Sequence, residues 1–460
     1  MTGAPQTEDR APIPTAALFD ARFLADPYPG LAALRTAAPV HRLTLPDGAN
    51  VWLVTRYADV RAGFADPRLS LDKANSTDGW KGFSLPPALD ANLLNMDPPD
   101  HTRIRRLVRH AFGPQRIARL RPKIEAAAEA LLDRMAPAGR ADLVAEYAGP
   151  LPVTVISDLL GVPEEDRPAL RGWTDTMLAP PADDPRAAGR AVMAIQDFLV
   201  RLIADKRRDP GDDLLTAMIA ARDTDEDDAT SAALSSPRFS TAAPTTSPTP
   251  TTAEAGGNGS PSRVGVPGAD GSAPPRQDGG DRLSEDELTS LAFLVLFAGY
   301  ENTVHVVGSG LLALLRNPEQ LALVRAGVEP STAAVEELLR YEPPATVALR
   351  RFALTDITIG GVTVPAGATV LLCVAAANRD PERFADPDAL DLTRPDNGHL
   401  TLGHGIHYCV GAPLARLEAQ IAIGAVLRRF PKLALAVDPA ELAWRPSFRT
   451  RGLTSLPVTF

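Results

Sequence analysis

The chain of 460 residues contains only two cysteines, Cys373 and Cys409. Two cysteines cannot build a disulfide framework, and such scarcity is typical of proteins in a reducing cytoplasm. Long hydrophobic runs are also missing, because the longest strongly apolar stretch, LAFLVLFAG at 291–299, is far too short to span a bilayer. Residues 1–20 are polar and lack the apolar core of a signal peptide. We therefore expect a soluble, cytoplasmic protein with no membrane partner.

Positive charge is scarce as well. Lys and Arg total 47 against 57 Asp and Glu, which gives a formal net charge of −10. The phosphate backbone of DNA or RNA attracts basic surfaces, so this balance argues against nucleic acid as the main partner. The length leaves room for a sizeable core in one large domain or two average ones.

Residues 225–280 contain a single aromatic residue, Phe239, and almost no large aliphatic side chains. Such a segment cannot bury enough apolar surface to offset the entropy lost on ordering. We predict a disordered insertion, rich in Pro, Ser, Thr and Gly, between an N-terminal part at 1–224 and a C-terminal part at 281–460.

The flanking parts predict a mostly α fold with small β-sheets. Two β-prone runs about a Pro-Asp-Gly turn predict a β-hairpin at 41–56, and 357–377 repeats that pattern. Most of the remaining chain has helical periodicity. Ser284 and Glu287 form a capping box, which predicts a long helix that ends near Arg316, before Asn317-Pro318.

The stretch HLTLGHGIHYCVGAPLARLEAQ at 399–420 surrounds Cys409 with glycines. Most lone cysteines are small buried hydrophobes. Here Gly403, Gly405 and Gly411 permit positive φ and let a flat group approach the backbone. The helical pattern that follows places Cys409 at a helix N-terminus, where free N–H groups stabilise a thiolate. A single thiolate suits one coordination position on a metal, such as haem iron.

This stretch resembles the signature of the cytochrome P-450 haem-thiolate monooxygenases, Phe-Gly-x-Gly-x-His-x-Cys-x-Gly. In this chain it spans residues 402–411, with His407 and Cys409 at the histidine and cysteine positions. The resemblance implies haem b ligated by Cys409, with Leu402 and Gly411 in the haem-binding loop. Leu402 replaces the usual phenylalanine, which leaves the ligand in place but is expected to alter thiolate packing and redox tuning.

The resemblance covers nearly the whole chain outside 225–280 and implies the P-450 fold, a single domain with a long central helix. EELLRYEPP supplies the family's Glu-x-x-Arg pair as Glu337 and Arg340. Taken alone, Glu and Arg at this spacing are common partners on helix surfaces. RDPERFADPDALDLTR resembles the family's meander, so Arg394 is expected to complete a buried cluster.

Four basic residues are implied to face the haem propionates: His101 and Arg105 in NMDPPDHTRIRRLV, Arg351 in ALRRFAL, and His407. Arginine forks suit carboxylates because they donate two parallel hydrogen bonds. Each residue singly is also compatible with a surface ion pair or a helix cap.

FAGYENTVH at 297–305 resembles the family's Ala-Gly-x-(Asp/Glu)-Thr-Thr kink beside the oxygen site. The resemblance implies that Gly299 permits approach of the haem and that Glu301 relays protons, although a surface carboxylate is the alternative. Asn302 stands at the usual threonine position. Thr303 is a further catalytic candidate, but it lies about 100° around the helix and is not expected to substitute directly unless the kink turns it inward. An amide keeps fixed donor and acceptor ends and does not ionise, so we predict that Asn302 replaces the hydroxyl. A substrate hydroxyl that completes the relay is the alternative.

The implied function is insertion of one oxygen atom of O₂ into an apolar small molecule, such as a bacterial polyketide. The implied electron donors are a ferredoxin and its NAD(P)H-dependent reductase. The basic stretch from Arg103 to Lys123 is the expected docking surface, with a solvated helix face as the alternative. Oxidative coupling, peroxide-driven oxidation and a non-catalytic haem-binding sensor are the competing functions.

Overall fold

The computed structural model describes residues 20–45, 48–77, 85–178, 181, 183–184, 186–223, 283–327 and 330–460. The predicted insertion at 225–280 lies outside the described residues, so that prediction remains untested. Both flanking parts of the chain belong to one compact unit.

Helices dominate the described residues, as the sequence predicts. In chain order they are α1 (Ala21–Ala25), α2 (Tyr28–Ala37), α3 (Tyr57–Ala65), α4 (Pro87–Asp90), α5 (Asp100–Ala111), α6 (Pro114–Met135), α7 (Pro150–Leu160), α8 (Arg167–Leu178), α9 (Ala187–Arg208), α10 (Leu214–Asp223), α11 (Glu285–Leu315), α12 (Pro318–Arg325), α13 (Thr332–Tyr341), α14 (Val374–Ala377) and α15 (Ala412–Arg429). A π-helical turn at Val144–Ala148 precedes α7, and a 3₁₀ turn at Gly405–His407 lies within the cysteine loop.

The long helix α11 begins with the predicted capping box. The Glu287 backbone N–H donates to Ser284 Oγ at 3.1 Å, and the Ser284 N–H donates to the Glu287 carboxylate at 2.8 Å. These two bonds satisfy N–H groups that a helix start otherwise leaves unpaired. The helix ends at Leu315, one residue before the predicted position. It packs against α4, α7, α9 and α15.

Among the described residues, α11 is the one helix whose length and apolar composition would allow it to cross a membrane. However, 72% of its apolar window is buried inside the protein. A buried apolar helix is a core element, so α11 serves as the central support of the fold.

The strands are short and form three sheets. Their bounds are β1 (Val40–Thr44), β2 (Asn50–Val54), β3 (Leu69–Ser70), β4 (Arg140–Asp142), β5 (Arg351–Ala353), β6 (Ile357–Ile359), β7 (Val362–Val364), β8 (Thr369–Leu372), β9 (Ala434–Leu435) and β10 (Pro457–Thr459). The largest sheet has the order β1-β2-β8-β5-β3, and the others are β4-β10-β9 and β6-β7.

The predicted hairpin is confirmed, because β1 and β2 pair in antiparallel register with Val40 opposite Val54. The prediction that 357–377 repeats this pattern is only half right. β6 and β7 form a hairpin, but β8 leaves it and pairs in parallel with β2. Cys373 follows the end of β8, is fully buried, and precedes α14.

The cysteine loop is held where three helices meet. Val306 of α11, Leu339 of α13 and Ala419 of α15 are buried together, and Leu402 of the loop packs against them. This cluster fixes the loop against the same face of α11 that carries Asn302 one turn earlier, since residues four apart share a helix face.

Candidate active site around Cys409

Glycines shape the cysteine loop in two different ways. Gly403 and Gly405 have φ of 78° and 74°, the left-handed region that their lack of Cβ makes accessible, as predicted. Gly411 has φ of −83°, so the prediction of positive φ is wrong there. A Cβ on Gly411 would lie 4.0 Å from Cys409 Sγ, so this glycine keeps the space beside the sulfur open. The Cys409 N–H donates to the Leu402 carbonyl at 2.8 Å.

Cys409 lies at the start of α15, whose N-cap, Gly411, has no side chain to accept a hydrogen bond. The surrounding protein raises the pKa of the Cys409 thiol, whereas the N–H groups of Gly411 and Ala412 and the charge of Arg105 lower it. The N–H groups at the helix start therefore favour the thiolate, as predicted, but burial outweighs them and the net pKa of the thiol is raised. By its overall accessibility Cys409 is an exposed residue, whereas Cys373 is buried.

The structure brings the four predicted basic side chains together beside this loop; we call His101, Arg105, Arg351 and His407 the basic cradle. The rings of His101 and His407 lie 4.0 Å apart, centroid to centroid. Arg105 donates to the carbonyl of Tyr408, next to the cysteine. None of the four is therefore a simple surface ion pair or helix cap.

The cradle buries donors without acceptors. His101 is 1% exposed, and neither ring nitrogen has a hydrogen-bond partner among the described residues. Arg351 is 3% exposed, and its Nη1 donates to the Leu69 carbonyl at 3.3 Å. Its Nε finds no partner in the described part of the chain. Buried polar groups normally have partners, so these orphaned atoms indicate a site for an acceptor-bearing ligand.

Electrostatics favour an anionic ligand. Burial lowers the pKa of His101 to about 4, of His407 to about 3 and of Arg351 to about 10. Asp97 opposes these shifts but is engaged elsewhere, because it accepts hydrogen bonds from Ser70 and from the Leu71 N–H. A pair of carboxylates, as on a haem edge, matches this excess of donors.

In this region the Cys409 thiol is the candidate metal ligand. Among the described residues there is no group of three or more His, Cys, Asp and Glu side chains able to hold a metal ion. Cys409 is an isolated thiol beside a cradle suited to carboxylates. Haem therefore fits this donor set, because it brings its own nitrogen ligands and needs only an axial thiolate from the protein.

The oxygen-side residues lie on α11. Val295, Ala298 and Asn302 are partly exposed at helical spacing on a helix whose other positions are mostly buried. The Asn302 amide nitrogen donates weakly to the Ala298 carbonyl at 3.4 Å. Its Oδ1 is buried without a partner among the residues described. Asn302 thus presents an unused acceptor on the partly exposed stripe of the helix.

Thr303 and Gly299 both take part in the packing of α11. Thr303 is 6% exposed and its hydroxyl donates to the Gly299 carbonyl at 2.7 Å, so its proton is committed to the backbone. A Cβ on Gly299 would lie 3.0 Å from Ile156 Cδ1, so this glycine lets α7 approach α11. The helix is continuous from Glu285 to Leu315. That Gly299 also permits approach of a haem stays a prediction.

Glu301 is buried and held by the C-terminal segment. Its Oε2 accepts a hydrogen bond from Arg449 Nη2 at 3.0 Å, and its Oε1 lies 3.4 Å from Thr450 Oγ1 and 3.8 Å from His305 Nε2. Burial by itself would raise the pKa of Glu301. His305 and Arg449 outweigh burial and bring the pKa below its ordinary value, to about 2. The alternative of a solvated surface carboxylate is wrong. Sequence reasoning missed Arg449 and Thr450, which carry no motif and lie far away in the chain.

The predicted Glu-Arg-Arg cluster forms in the core. Glu337 and Arg340 are fully buried and paired at 2.7 Å, and Arg394 Nε lies 3.2 Å from Glu337. Arg340 also donates to three carbonyls, those of Asn378, Pro387 and Ala389. A buried ion pair is tolerable when its remaining donors are satisfied, so the cluster fastens α13 to the chain that leads into the cysteine loop.

Part of the basic stretch pairs with acidic residues of this chain. Arg103 pairs with Glu287 of α11 at 2.5 Å and is mostly buried, whereas the pairs of Arg119 with Asp212 and of Arg121 with Glu125 lie at the surface. Arg109 is exposed and lies one turn after Arg105. The docking surface at Arg103 to Lys123 stays a prediction, and Arg109 is the exposed charge beside the cysteine loop.

By the same resemblance, apolar substrate contacts are expected from three regions, 72–95, about 165–200 and 342–350, and the structure places their apolar residues in different clusters. Leu93 and Met177 belong to the main helical core. Val347 belongs to a separate cluster with Leu43 and Cys373 beside the largest sheet. Phe83 lies outside the described residues.

Comparisons with known proteins agree with this geometry. The family model described as cytochrome P450 matches residues 331–441. Cytochrome P450 monooxygenase PikC from Streptomyces venezuelae is 43% identical over 95% of this chain and 91% of its own length. The 6-deoxyerythronolide B hydroxylase from Saccharopolyspora erythraea is 37% identical over 95% of this chain and 96% of its length. The solved structure of the Bacillus subtilis 168 bacillaene polyketide synthase cytochrome P450 PksS has a TM-score of 0.78 and 34% identity, covering 96% of this chain and 98% of that one.

Proposed function

The chain belongs to the cytochrome P450 family, and from that premise we propose the roles of its individual residues. It is a haem-dependent monooxygenase of bacterial secondary metabolism that hydroxylates or epoxidises its substrate. We propose that Cys409 is the axial ligand of haem b. The observation that carries this proposal is an accessible cysteine at an uncapped helix start, beside buried nitrogens of His101 and Arg351 that lack partners in the described part of the chain.

The bound haem supplies the iron at which O₂ is reduced, and its charge favours the thiolate form of the cysteine. Arg105, Arg351, His101 and His407 would bind the propionate carboxylates, and nitrogens of His101 and Arg351 that have no partner among the described residues would be available to donate to them. Leu402 packs beneath the loop and keeps the Cys409 backbone fixed through its carbonyl. The glycine at 411 keeps the sulfur uncovered.

On the oxygen side, Asn302 orients hydrogen-bonding groups through its unpartnered carbonyl oxygen and its weakly bound NH₂ group. Glu301 is the neighbouring acid from which protons pass. It is ionised at neutral pH, since its pKa is about 2. It therefore accepts protons from solvent before it can release them inward.

The substrate is proposed to be an apolar polyketide, most simply a macrolactone. The names of two relatives, 6-deoxyerythronolide B hydroxylase and the bacillaene polyketide synthase P450, support this class. Leu93 and Met177, in the helical core near α11, supply apolar surface for such a ligand.

Electrons are proposed to come from a ferredoxin and its NAD(P)H-dependent reductase in the cytoplasm. Arg109, exposed one turn after Arg105 on α5, supports docking of an acidic partner near the cysteine loop.

The test combines binding and labelling. Purified enzyme is titrated with macrolactones, steroids, terpenes and peptides, and substrate binding is followed by the shift of the Soret band. The best binder is then incubated with ¹⁸O₂, ferredoxin, reductase and NADPH, and the mass of the product is measured by mass spectrometry. One ¹⁸O atom per product molecule is expected. Product formed with peroxide alone at the same rate would favour peroxide-driven oxidation, and a dimeric product without label would favour oxidative coupling.

A non-catalytic ligand sensor is the remaining alternative. It would bind a ligand with a spectral shift but consume no NADPH or oxygen. The buried, ionised Glu301 beside Asn302 favours a catalyst, because a sensor has no need of an acid held at this cost in desolvation.

A further inference from the structure

The C-terminal segment from Ala443 to Thr454 folds back as a hydrogen-bonded loop. The Arg445 N–H donates to the Gly452 carbonyl, and the Thr454 N–H donates to the Ala443 carbonyl, both at 2.9 Å. Inside the loop, Ser447 Oγ accepts hydrogen bonds from the N–H groups at 449 and 450. Its backbone is fixed on a second side, because the Thr346 N–H donates to the Arg449 carbonyl at 2.9 Å. The loop is thus built to hold residues 449–450 in place.

This loop contacts α11 at the acid of the active site. Arg449 bonds Glu301 directly at 3.0 Å. Gly452 lies so close to His305 that a Cβ there would be 2.0 Å from Nδ1, so the loop backbone packs on the imidazole. His305 Nε2 faces Glu301 Oε1 at 3.8 Å, which is too long for a direct hydrogen bond. The guanidinium is therefore the direct partner of the carboxylate, and it is the one that carries a permanent charge.

The contact also reaches solvent. The Arg449 side chain is 38% exposed, whereas His305 is almost fully buried. Glu301 and Asn302 are consecutive, so their side chains leave the helix about 100° apart. The carboxylate is therefore held on the C-terminal loop, away from the stripe that carries Asn302.

Given the proposed role of Glu301 in the relay, we propose that Arg449 is its positioning residue. Arg449 keeps the Glu301 carboxylate ionised and turned toward solvent at the C-terminal loop, from which protons enter the active site. His305 supports the same carboxylate from within α11. The loop thereby controls proton supply to the Asn302 side of the helix.

The charged groups around Glu301 determine how its pKa changes when Arg449 is removed. Arg449 faces it from the loop and His305 from its own helix, and both lower its pKa against the effect of burial. Arg445 of the same loop acts instead on Tyr300, whose hydroxyl donates to Asp175 of α8. Without Arg449, burial is opposed only by His305 and by the weak hydrogen bond from the Thr450 hydroxyl, so the pKa of Glu301 rises. The protonated form then appears as pH falls through the new, higher pKa.

The first measurement follows the carboxyl group itself. Infrared spectra of the haem-loaded enzyme, titrated over about pH 4 to 8 around the ordinary carboxyl pKa, report the C=O stretch of a protonated carboxylic acid. In Arg449→Met, a new band should grow in at low pH, with a midpoint raised by at least about one unit relative to the wild type. The band should be missing in Arg449→Lys, which keeps the charge, and in the double variant Glu301→Gln with Arg449→Met.

The second measurement is product formed per NADPH across the same pH range. Arg449→Met should lose coupling as the pH falls, following the infrared midpoint, whereas wild type and Arg449→Lys stay flat. Arg445→Met is the matched control, since it removes an arginine from the same loop without touching Glu301. An Arg445→Met variant that behaves like Arg449→Met would mean that the loop has only loosened, which overturns the proposal.

The two readouts separate two kinds of failure. If the infrared band in Arg449→Met matches that of the wild type, Arg449 does not position Glu301 and the inference is wrong. If the band shifts but coupling stays flat with pH, positioning is correct and the proposed role of Glu301 in the proton relay is wrong.

Discussion

Several residues of this site carry buried polar atoms for which the described residues supply no hydrogen-bond partner. Within the described ranges, the His101 ring nitrogens, Arg351 Nε and the Asn302 carbonyl oxygen have no hydrogen-bond partner. An unsatisfied buried group costs free energy in the protein alone. A protein can keep such a group where a ligand later supplies the missing partner. Removing the group should therefore stabilise the haem-free protein and weaken haem binding.

Arg351→Leu tests this opposition. Haem-free protein should melt at an unchanged or higher temperature, because an unpaired buried cation is removed. The haem-loaded protein should release haem to apomyoglobin about tenfold faster, since a charge-assisted bond to a propionate is worth about 1.5–3 kcal/mol. Arg350→Leu is the control, a neighbour that stacks over Phe448 instead. Equal haem release from wild type and Arg351→Leu would remove Arg351 from the basic cradle.

Asn302 is the second residue-scale test. Asn302→Ala should raise the hydrogen peroxide released per NADPH severalfold, because the stripe on α11 then offers no side-chain hydrogen bond to the oxygen side. Asn302→Thr should stay tightly coupled. Thr303→Ala should change little, because the Thr303 hydroxyl already donates to Gly299. Full coupling of Asn302→Ala with the true substrate would place the proton path elsewhere, including on a substrate hydroxyl.

At this scale, the sequence located residues whose type and spacing are constrained locally. Cys409, with its flanking glycines, and the Glu337–Arg340 pair could be found from a short stretch. The contacts of a side chain on a long helix could not be found in this way. Gly299 makes room for α7 against α11, and the Thr303 hydroxyl donates to the backbone of α11 itself. Arg449 could not be found either, because its partner lies 148 residues away.

At the scale of elements, α5 distributes its arginines among three tasks. Arg105 turns toward the cysteine loop, Arg103 pairs with Glu287 at the start of α11, and Arg109 is exposed. The helix thus ties the start of α11 to the cysteine loop and leaves Arg109 on its exposed side. Helix boundaries such as that of α11 were predictable because caps are local signals. The parallel pairing of β8 with β2 was not, because it joins segments far apart in sequence.

Charge reversal at Arg109 tests the exposed end of α5. Arg109→Glu should lower kcat/KM for ferredoxin about tenfold at low salt, and the difference should shrink as salt screens charges beyond about 8–10 Å. Soret shifts on substrate binding should not change. Arg201→Glu is the matched reversal on α9, a helix that packs chiefly on α8. If the rate of reduction by ferredoxin changes neither with salt nor in Arg109→Glu, α5 is not the docking surface.

At the scale of the whole molecule, the fold is assembled from two parts of the chain that meet in one helical core. Leu214 and Leu215 of α10 and Leu283 and Leu288 at the start of α11 are all buried in it. Both ends of the intervening segment are therefore anchored by packing. The composition of 225–280 predicts that the segment itself adds no comparable apolar surface.

Replacement of residues 229–278 by a short Gly-Ser loop should leave the fold intact. Loop closure grows slowly with length, so the shortening should change the free energy of unfolding by less than about 2 kcal/mol. Haem content and melting temperature are the measurements. Loss of haem incorporation would mean that the segment packs on the domain, contrary to the prediction from its composition.

The central claim is that Cys409 ligates the haem iron, and the carbon monoxide spectrum of the reduced enzyme tests it most directly. Wild type and Cys373→Ala should both show the red-shifted Soret band of thiolate ligation, because Cys373 is buried behind β8. Cys409→Ala, purified in the same way, should lack that band. A red-shifted band in Cys409→Ala, or its loss in Cys373→Ala alone, would contradict the account.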